Sequence, residues 1–379
     1  MLNGFLSASV LRLFAFSQRG GEYLRRRTKA GRSAKQIREA FYEKAWREAA
    51  EALGADFSVL GEKIHQITLG QKRTNVFCNY TELDGPITLR LAGDKAIVSR
   101  LLRRHGLPTP RAVEFSLKTL SRAREFLKKC PGPCVIKPAR NSSAGRGVTT
   151  GVLRPSHLRR ASIAAAAFSR NLLIEEQVPG NNYRLLFLDG ELLDAVHRQS
   201  PSLVGDGKST VRELVRRANA ERLAGGARAA QALLASDEDM QRTLAGQGLG
   251  MNSIPQRGQR VSLKTVINDN AANENQPARD LICESIVEQA RRAVAAIGGR
   301  FVGVDIITKD PTRPLSETGG VILELNTTPG FYYHSARPHD PVPVALYVLA
   351  SIFGLSAPLL TNAVDSQFEP AEPPRTASR

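Results

Sequence analysis

The sequence predicts an α+β protein of two or three domains. Three observations carry that expectation. At 379 residues the chain exceeds what a single core ordinarily organises. Two pairs of stretches alternate with period two and fold back on themselves. One pair, residues 183–188 and 191–198, flanks Asp189-Gly190; the other, 301–308 and 321–326, flanks a loop with two prolines that ends in Gly319-Gly320. Both read as antiparallel hairpins. Around them, apolar residues recur at helical spacing.

The elements follow in order. Residues 1–16 are mostly apolar but carry Arg12 and no basic segment ahead of the apolar run, so they are not read as a secretory signal. Arg25-Arg26-Arg27 is a basic run that suits a solvated helix or loop, or a phosphate or lipid contact. From Ser33 to Leu53 a helix is expected, with Ile37, Phe41, Ala45, Ala49 and Leu53 in one row and Trp46 at its edge. Short strands follow near 57–60, 67–69 and 74–78. Asp94 caps a helix that Gly106 ends, and Pro108 and Pro110 keep it from resuming. A helix at 117–129, a strand at 134–137, a strand at 148–153, a helix at 155–168 and a strand at 172–174 come next. Thr210 and Glu213 form a capping box at the head of another helix. Residues 223–250, rich in Ala, Gly and Gln, read as a partly helical insertion. Residues 277–297 read as one long helix stopped by Gly298-Gly299, and 342–353 as the last helix.

Composition narrows the function. Lysine and arginine total 53 against 36 acidic residues, a net charge of +17. That balance fits polynucleotide, anionic membrane or acidic small substrates. Aromatics at 6% do not supply base-stacking platforms. No apolar run approaches the ~20 residues of a membrane span. Among the four cysteines, the close pair Cys130-Pro-Gly-Pro-Cys134 lacks a second Cys/His pair at zinc spacing, which reads as free thiols in a reducing compartment.

Several stretches carry chemistry. Glu324 and Asn326 lie two apart on one strand and so share a face. With Asp305 on the neighbouring strand pointing the same way, three oxygen ligands would converge, a set that suits Mg²⁺; the alternative is a solvated strand face. Lys137 ends a short buried strand and precedes the small polar loop 139–147, where Gly145 and Gly147 allow backbone N–H groups to cradle phosphate. Glu175-Glu176-Gln177-Val178 runs into Pro179-Gly180, a hinge whose backbone can read an adenine edge, with Glu175 an acceptor for its amino group. Two look-alikes fail. Ser202 stands where a phosphate loop ending in Gly207-Lys208-Ser209 needs glycine, and Met251 stands where Gly246-Gln-Gly248 would need its third glycine.

The ordered set Asp94-Lys95, Lys137-Pro138 with its small-residue loop, Glu175 to Val178, Asn182-Tyr-Arg184, Gly205-Asp-Gly207, Asp305, Glu324-Leu-Asn326 and Thr328-Pro-Gly330 resembles the ATP-grasp superfamily. In particular it resembles the ATP-grasp modules of cyanophycin synthetase and of glutathione-type ligases, over residues 91–338. The resemblance implies two α+β subdomains gripping ATP plus an N-terminal α/β domain. The boundaries are 1–92, 93–178 with the lid, 179–356 with a Mg²⁺ site, and 357–379 as a disordered tail. It implies an ADP-forming carboxylate–amine ligase working through an acyl phosphate, on amino acids or a short peptide. Lys95 and Lys137 match lysines that hold ATP phosphates, and Asn141, Ser142, Ser143, Gly145 and Gly147 match the lid. Glu175, Glu176, Gln177 and Val178 match the adenine hinge. Asp305, Glu324 and Asn326 match the ligands of two Mg²⁺ ions, with Mn²⁺ as the substitute. Arg184 and Arg198, with Lys137, match catalytic cations. Asn182 stands where many relatives have a carboxylate for the ribose. The chain ends soon after this module, so no second ligase module and no repeated two-step polymerisation are expected. A cytoplasmic enzyme, open to homo-oligomerisation and with neither membrane nor nucleic acid as partner, is the expectation. The alternatives are an ATP-binding regulatory protein with reduced catalysis and a basic nucleic-acid-associated protein.

Overall fold

The computed structural model describes residues 29–140, 145–224, 233–265, 267, 274–335 and 340–355. The expected lid residues Asn141, Ser142 and Ser143, the run Arg25-Arg26-Arg27 and the expected tail lie outside them.

Helix α1 (Lys29–Ala52) leads into an antiparallel three-stranded sheet of β1 (Asp56–Gly61), β2 (Ile64–Leu69) and β3 (Lys72–Phe77). Trp46 is not at the edge of the helix's apolar row, as periodicity alone suggests. Tyr42, Trp46, Ala49 and Ala50 form the buried stripe, and Trp46 is fully buried. Its ring meets Phe331 edge-on at 5.4 Å, and its Nε1 donates to the Cys78 carbonyl at 2.6 Å. Burying the largest apolar surface with its N–H satisfied sets the helix's rotation.

Two short helices follow, α2 (Pro86–Ala92) and α3 (Lys95–Arg104), the latter capped by Asp94, which accepts from the backbone N–H groups of Ala96 and Ile97. Then comes an α+β unit: β4 (Ala112–Phe115), α4 (Leu120–Lys129), β5 (Cys134–Pro138), β6 (Thr149–Val152), α5 (Pro155–Ala166) and β7 (Leu172–Glu176). Its four strands pair antiparallel in the order β4-β7-β5-β6. Cys134, Ile136, Leu172 and Ile174 join the core shared with α4 and α5. The alternating residues Val135, Lys137 and Glu175 therefore face the other way.

The second α+β unit begins with the hairpin β8 (Asn181–Leu188) and β9 (Glu191–Arg198). Inserted after it are β10 (Ser202–Val204), α6 (Val211–Ala224), α7 (Glu238–Ala245) and β11 (Arg260–Ser262), which have a separate core around Val211, Met240, Leu244 and Val261. Glu213 accepts from the Thr210 backbone N–H and hydroxyl, so the expected capping box is present. The chain returns through β12 (Asn275–Pro277) to α8 (Glu284–Ile297), β13 (Phe301–Thr308), the short α9 (Leu315–Thr318) and β14 (Val321–Thr327). It closes with α10 (Tyr332–Ser335) and α11 (Val344–Phe353). The expected long helix from Pro277 is thus shorter: Asn275–Pro277 pairs with β9, a single tight turn spans Arg279–Leu281, and the helix begins at Glu284.

The five strands pair antiparallel in the order β12-β9-β8-β13-β14. One face of this sheet, with Leu185, Phe187, Val302, Val304 and Ile306, packs on α8. The other face changes character along its length. Leu186, Leu188 and Phe301 are buried against α1 and α11, while Asn182, Arg184, Asp305 and Ile307 line a cavity. The same period-two face supplies core at one end and site at the other.

Candidate functional site

Register builds one wall of the site. Arg184, Asp305 and Glu324 are direct cross-strand partners on β8, β13 and β14, so they stand in a row across the sheet. Arg184 Nε and Nη2 donate to the two Asp305 carboxylate oxygens at 2.5 and 2.6 Å, a bidentate pair. Asn326 Nδ2 donates to Asp305 Oδ2 at 3.2 Å. Gly303 clears the path of the arginine: a Cβ there would stand 3.0 Å from Arg184 Cδ and 3.2 Å from Pro329 Cβ. The Lys95 ammonium, at the first turn of α3, lies 2.9 Å from Glu324 Oε1.

The facing wall comes from the first α+β unit. Lys137 Nζ lies 2.7 Å from Glu175 Oε1, both side chains buried. The Lys95 backbone N–H donates to the Ala139 carbonyl, which ties the head of α3 to the end of β5 and brings the two lysines to one cavity. Between the walls runs residues 176–180. Glu176 accepts from the Arg111 backbone N–H at 2.9 Å and from its Nε at 2.7 Å. Gln177 N–H donates to the Pro133 carbonyl, and Gln177 Oε1 accepts from the Gly151 N–H at 2.7 Å. Gly180 has φ +148°, and a Cβ there would stand 2.6 Å from the Thr308 carbonyl carbon, so only glycine lets the chain pass β13 here.

At Lys95, Asp305 and Arg198 burial opposes the charge, and neighbours decide the outcome. At Lys95 the Glu324 carboxylate outweighs burial and the pKa rises. At Asp305 burial is outweighed by Arg184, which holds the carboxyl below its usual range. Arg198 is different. Burial and then the like charge of Arg184 push it down. Its side chain is 8% exposed, its Nη1 stands 3.9 Å from Asp305 Oδ1, and its Nη2 donates to the Ile267 carbonyl at 2.6 Å. Its Nε has no hydrogen-bond partner, and its guanidinium lies 5.8 Å from the centre of the Tyr333 ring. It is a buried cation whose nearest carboxylate is already held by another arginine.

The walls enclose a cavity of about 710 Å³. Val135, Val148, Ile307 and Leu323 give it an apolar section beside the Glu176–Val178 backbone; Lys95, Lys137, Arg184, Arg198, Asp305, Glu324 and Asn326 give it a charged one. Gly145 and Asn182 also line it. Gly147 is beside it in sequence but does not reach it; its position is fixed instead by the Phe168 ring, 2.7 Å from where a Cβ would lie. Glu175 faces the cavity bound to Lys137, rather than as a bare acceptor.

Sequence reasoning missed a further wall. Thr243, Ser262, Lys264 and Thr265 of the inserted segment line the cavity. Lys264 is buried and pairs with Asp237 at 2.6 Å, while Thr265 Oγ1 meets Thr150 Oγ1 on β6 at 2.7 Å. Only Thr243 falls in the Ala-, Gly- and Gln-rich stretch 223–250; Ser262, Lys264 and Thr265 follow it, in a segment with neither periodicity nor motif to announce them. The buried pair His334–Asp194, at 2.7 Å, was also missed; it fixes the segment that carries Tyr333 to the strand that carries Arg198.

The donor set of Asp305, Glu324 and Asn326 consists of two carboxylates and an amide on adjacent strands. Among the described residues no three His, Cys, Asp or Glu side chains gather. Hard oxygen donors that leave positions for phosphate oxygens and water fit Mg²⁺, and not a metal that needs a full cage of nitrogen or sulfur.

Two antiparallel α+β units that close on a cavity lined by lysines and a carboxylate–amide row define the ATP-grasp fold, and the chain belongs to the ATP-grasp superfamily. No family model matches it. It is 31% identical over 280 residues to the cyanophycin synthetase of Nostoc sp. (strain PCC 7120), covering 73% of this chain and 31% of that one. It is 27% identical over 281 residues to the bifunctional glutathione biosynthesis protein of Streptococcus mutans serotype c, covering 73% and 37%. The crystal structure of a bifunctional glutathione synthetase from Pasteurella multocida superimposes with a TM-score of 0.51 at 25% identity, covering 81% of this chain and 44% of that one. The chain therefore spans about a third of the length of the curated relatives it matches.

Proposed function

We propose that the protein is an ADP-forming carboxylate–amine ligase that makes an amide bond between amino acids or onto a short peptide. The observation that carries this reading is the convergence, in one cavity, of Lys95 and Lys137 with the Arg184–Asp305–Glu324–Asn326 row, Lys95 touching Glu324 and Lys137 coming from the facing unit. Acyl-phosphate formation brings a carboxylate up to a triphosphate, and fixed charges must offset that repulsion. In this reading the base lies against Val135, Val148, Ile307 and Leu323 with its edge on the backbone of Glu176–Val178, and Asn182 near the ribose. Lys95 and Lys137 hold phosphates, and the loop carrying Gly145 and Gly147, together with Asn141, Ser142 and Ser143, covers them. Asp305, Glu324 and Asn326 hold Mg²⁺, two ions with Mn²⁺ able to substitute; bound there, the metal neutralises phosphate charge. Arg184 and Arg198 orient the substrate carboxylate and stabilise charge on the transferring phosphoryl group. The amine then attacks the acyl carbon, the amide bond forms and phosphate leaves with the C–O electron pair. Closure of the cavity keeps water from the acyl phosphate.

Residues 93–178 and 179–356 are the two gripping halves in this scheme. The cytoplasm is the assigned location, because the reaction consumes ATP. The relatives' names support amino-acid or peptide substrates. The test is ADP release by the purified protein with Mg²⁺, screened against amino acids and dipeptides, with mass spectrometry of the products. A condensed product one water lighter than its two parts is expected. ATP binding with no product from any pair would favour a regulatory ATP-binding protein.

A further inference from the structure

A second cavity of about 260 Å³ shares Glu176, Gln177 and Val178 with the large one. Cys130 lines it, together with Pro131, Pro133, Gln177 and Pro179. Cys130 is the C-cap of α4, its N–H donating to the Phe126 carbonyl at 3.0 Å, and Cys134 is the first residue of β5. Only the Pro131-Gly132-Pro133 turn separates them, and both sit on one core, Cys134 inside it and Cys130 packed against its edge. Cys130 is half-buried and reachable from this cavity; Cys134 is fully buried. The connection to the hinge is direct. Cys134 stands opposite Glu176 in the β5–β7 register, and the Pro133 carbonyl accepts from the Gln177 N–H at 2.9 Å.

We propose that Cys130 and Cys134 are a modification site, a dithiol that a peroxide converts to an intramolecular disulfide, and that this bond weakens nucleotide binding at the adjoining hinge. The second half rests on the functional reading above. The Cys130 thiol gives up its proton and the thiolate attacks one oxygen of hydrogen peroxide; an S–O bond forms, the O–O bond breaks and the departing hydroxide takes up that proton and leaves as water. The Cys134 sulfur then attacks the sulfenic sulfur; the S–S bond forms, the S–O bond breaks and hydroxide takes the Cys134 proton as a second water. Two thiols lose two electrons and two protons, and the peroxide gains them. The order of attack follows from the surroundings. Burial, with the Cys130 thiol nearby, pushes Cys134 up to about 12, so it stays protonated until a sulfenic acid forms beside it, while Cys130 is reachable from the cavity. Cys78 and Cys283 follow β3 and precede α8, far from this turn in the chain, and neither lines this cavity. Closing the S–S bond draws the start of β5 towards the end of α4. The Pro133–Gln177 hydrogen bond lies on that connection, and losing one such bond corresponds to a change in affinity of about tenfold.

The test uses the full chain, reduced with dithiothreitol or oxidised with hydrogen peroxide, alkylated and mapped by mass spectrometry. A Cys130–Cys134 linked peptide is expected after oxidation. Calorimetry with a non-hydrolysable ATP analogue should show affinity about tenfold weaker in the oxidised form and restored by dithiothreitol. Cys130→Ser should neither link nor respond. Sulfinic acid at Cys130 without a link, a link to Cys78 or Cys283, or an oxidised protein that binds the analogue as tightly as the reduced one overturns the proposal. If the reduced protein does not bind the analogue at all, the functional reading fails instead. Amide hydrogen exchange at Gln177 then decides the coupling: faster exchange in the linked form supports it, and unchanged exchange refutes it.

Discussion

Replacing Lys137 by methionine should destabilise the fold and weaken ATP binding, and the two effects can be separated. Lys137 and Glu175 form an ion pair of 2.7 Å with side chains only 6% exposed at each end. Methionine keeps the volume and removes the charge, leaving the Glu175 carboxylate buried without its partner. Breaking one side of such a pair costs about 3–5 kcal/mol, whereas replacing both sides with apolar groups is about neutral. Lys137→Met alone should therefore lower unfolding free energy by about 3–5 kcal/mol. Lys137→Met/Glu175→Leu should recover most of that. ATP-analogue affinity should not recover, because the cation proposed to face the phosphates is absent from both variants. Urea titration reads the first quantity and isothermal calorimetry the second. A double variant no more stable than the single one would refute the electrostatic argument. Full ATP affinity in the double variant would make Lys137 a structural residue only.

Glu324→Gln should fold, yet lose about 10²–10³-fold in turnover at saturating Mg²⁺, as expected when a group that stabilises developing charge is removed; ADP release by the folded variant measures it. Arg198→Ala should impair ligation strongly, while the exposed Arg103→Ala and Arg216→Ala do little; equal loss in all three would point to an extended basic surface rather than a focused site. Stability should fall on the acid side of neutrality. His65 is buried against Phe57 with its Nδ1 unpartnered, and burial first lowers its pKa. The unfolded chain then binds a proton that the folded one refuses. Stability is complete above the unfolded value near ~6.5 and declines below it towards the folded pKa, with a slope of at most ~1.4 kcal/mol per pH unit. His65→Gln should flatten that part of the urea-midpoint profile, and an unchanged profile would rule His65 out.

Alternation made the site's main residues legible. A strand has only two faces, so Glu324 and Asn326, or Lys137 and Val135, could be assigned to a face from spacing alone. The Asp189-Gly190 turn fixed one hairpin just as directly. What spacing could not supply was pairing between side chains. That Glu175 would be held by Lys137 depends on the β5–β7 register, and that Lys95 would be held by Glu324 depends on how the head of α3 meets β14; both are contacts between stretches far apart in the chain, and no local pattern encodes them. The start of α8 was misjudged for a local reason. Pro277 is well suited to a first helical turn, but it also fits an edge strand, and pairing of Asn275–Pro277 with β9 prevailed. Trp46 was misplaced because periodicity weighs all apolar residues alike, whereas burial weighs them by area. The inserted wall with Lys264 offered neither period nor motif.

If the cavity takes nucleotide and Mg²⁺ as proposed, the pairing of its charges with each other would make it a coincidence detector. Lys95 is occupied by Glu324, and Arg184 by Asp305. A triphosphate arriving alone must pull lysines from their carboxylates and leave those carboxylates stranded; a divalent ion arriving alone must strand the cations. Arriving together, each takes what the other releases. Metal and nucleotide should therefore strengthen each other's binding by the same factor, as reciprocity requires. A protein arranged this way would leave free Mg²⁺ and free nucleotide largely unbound at concentrations where their complex binds.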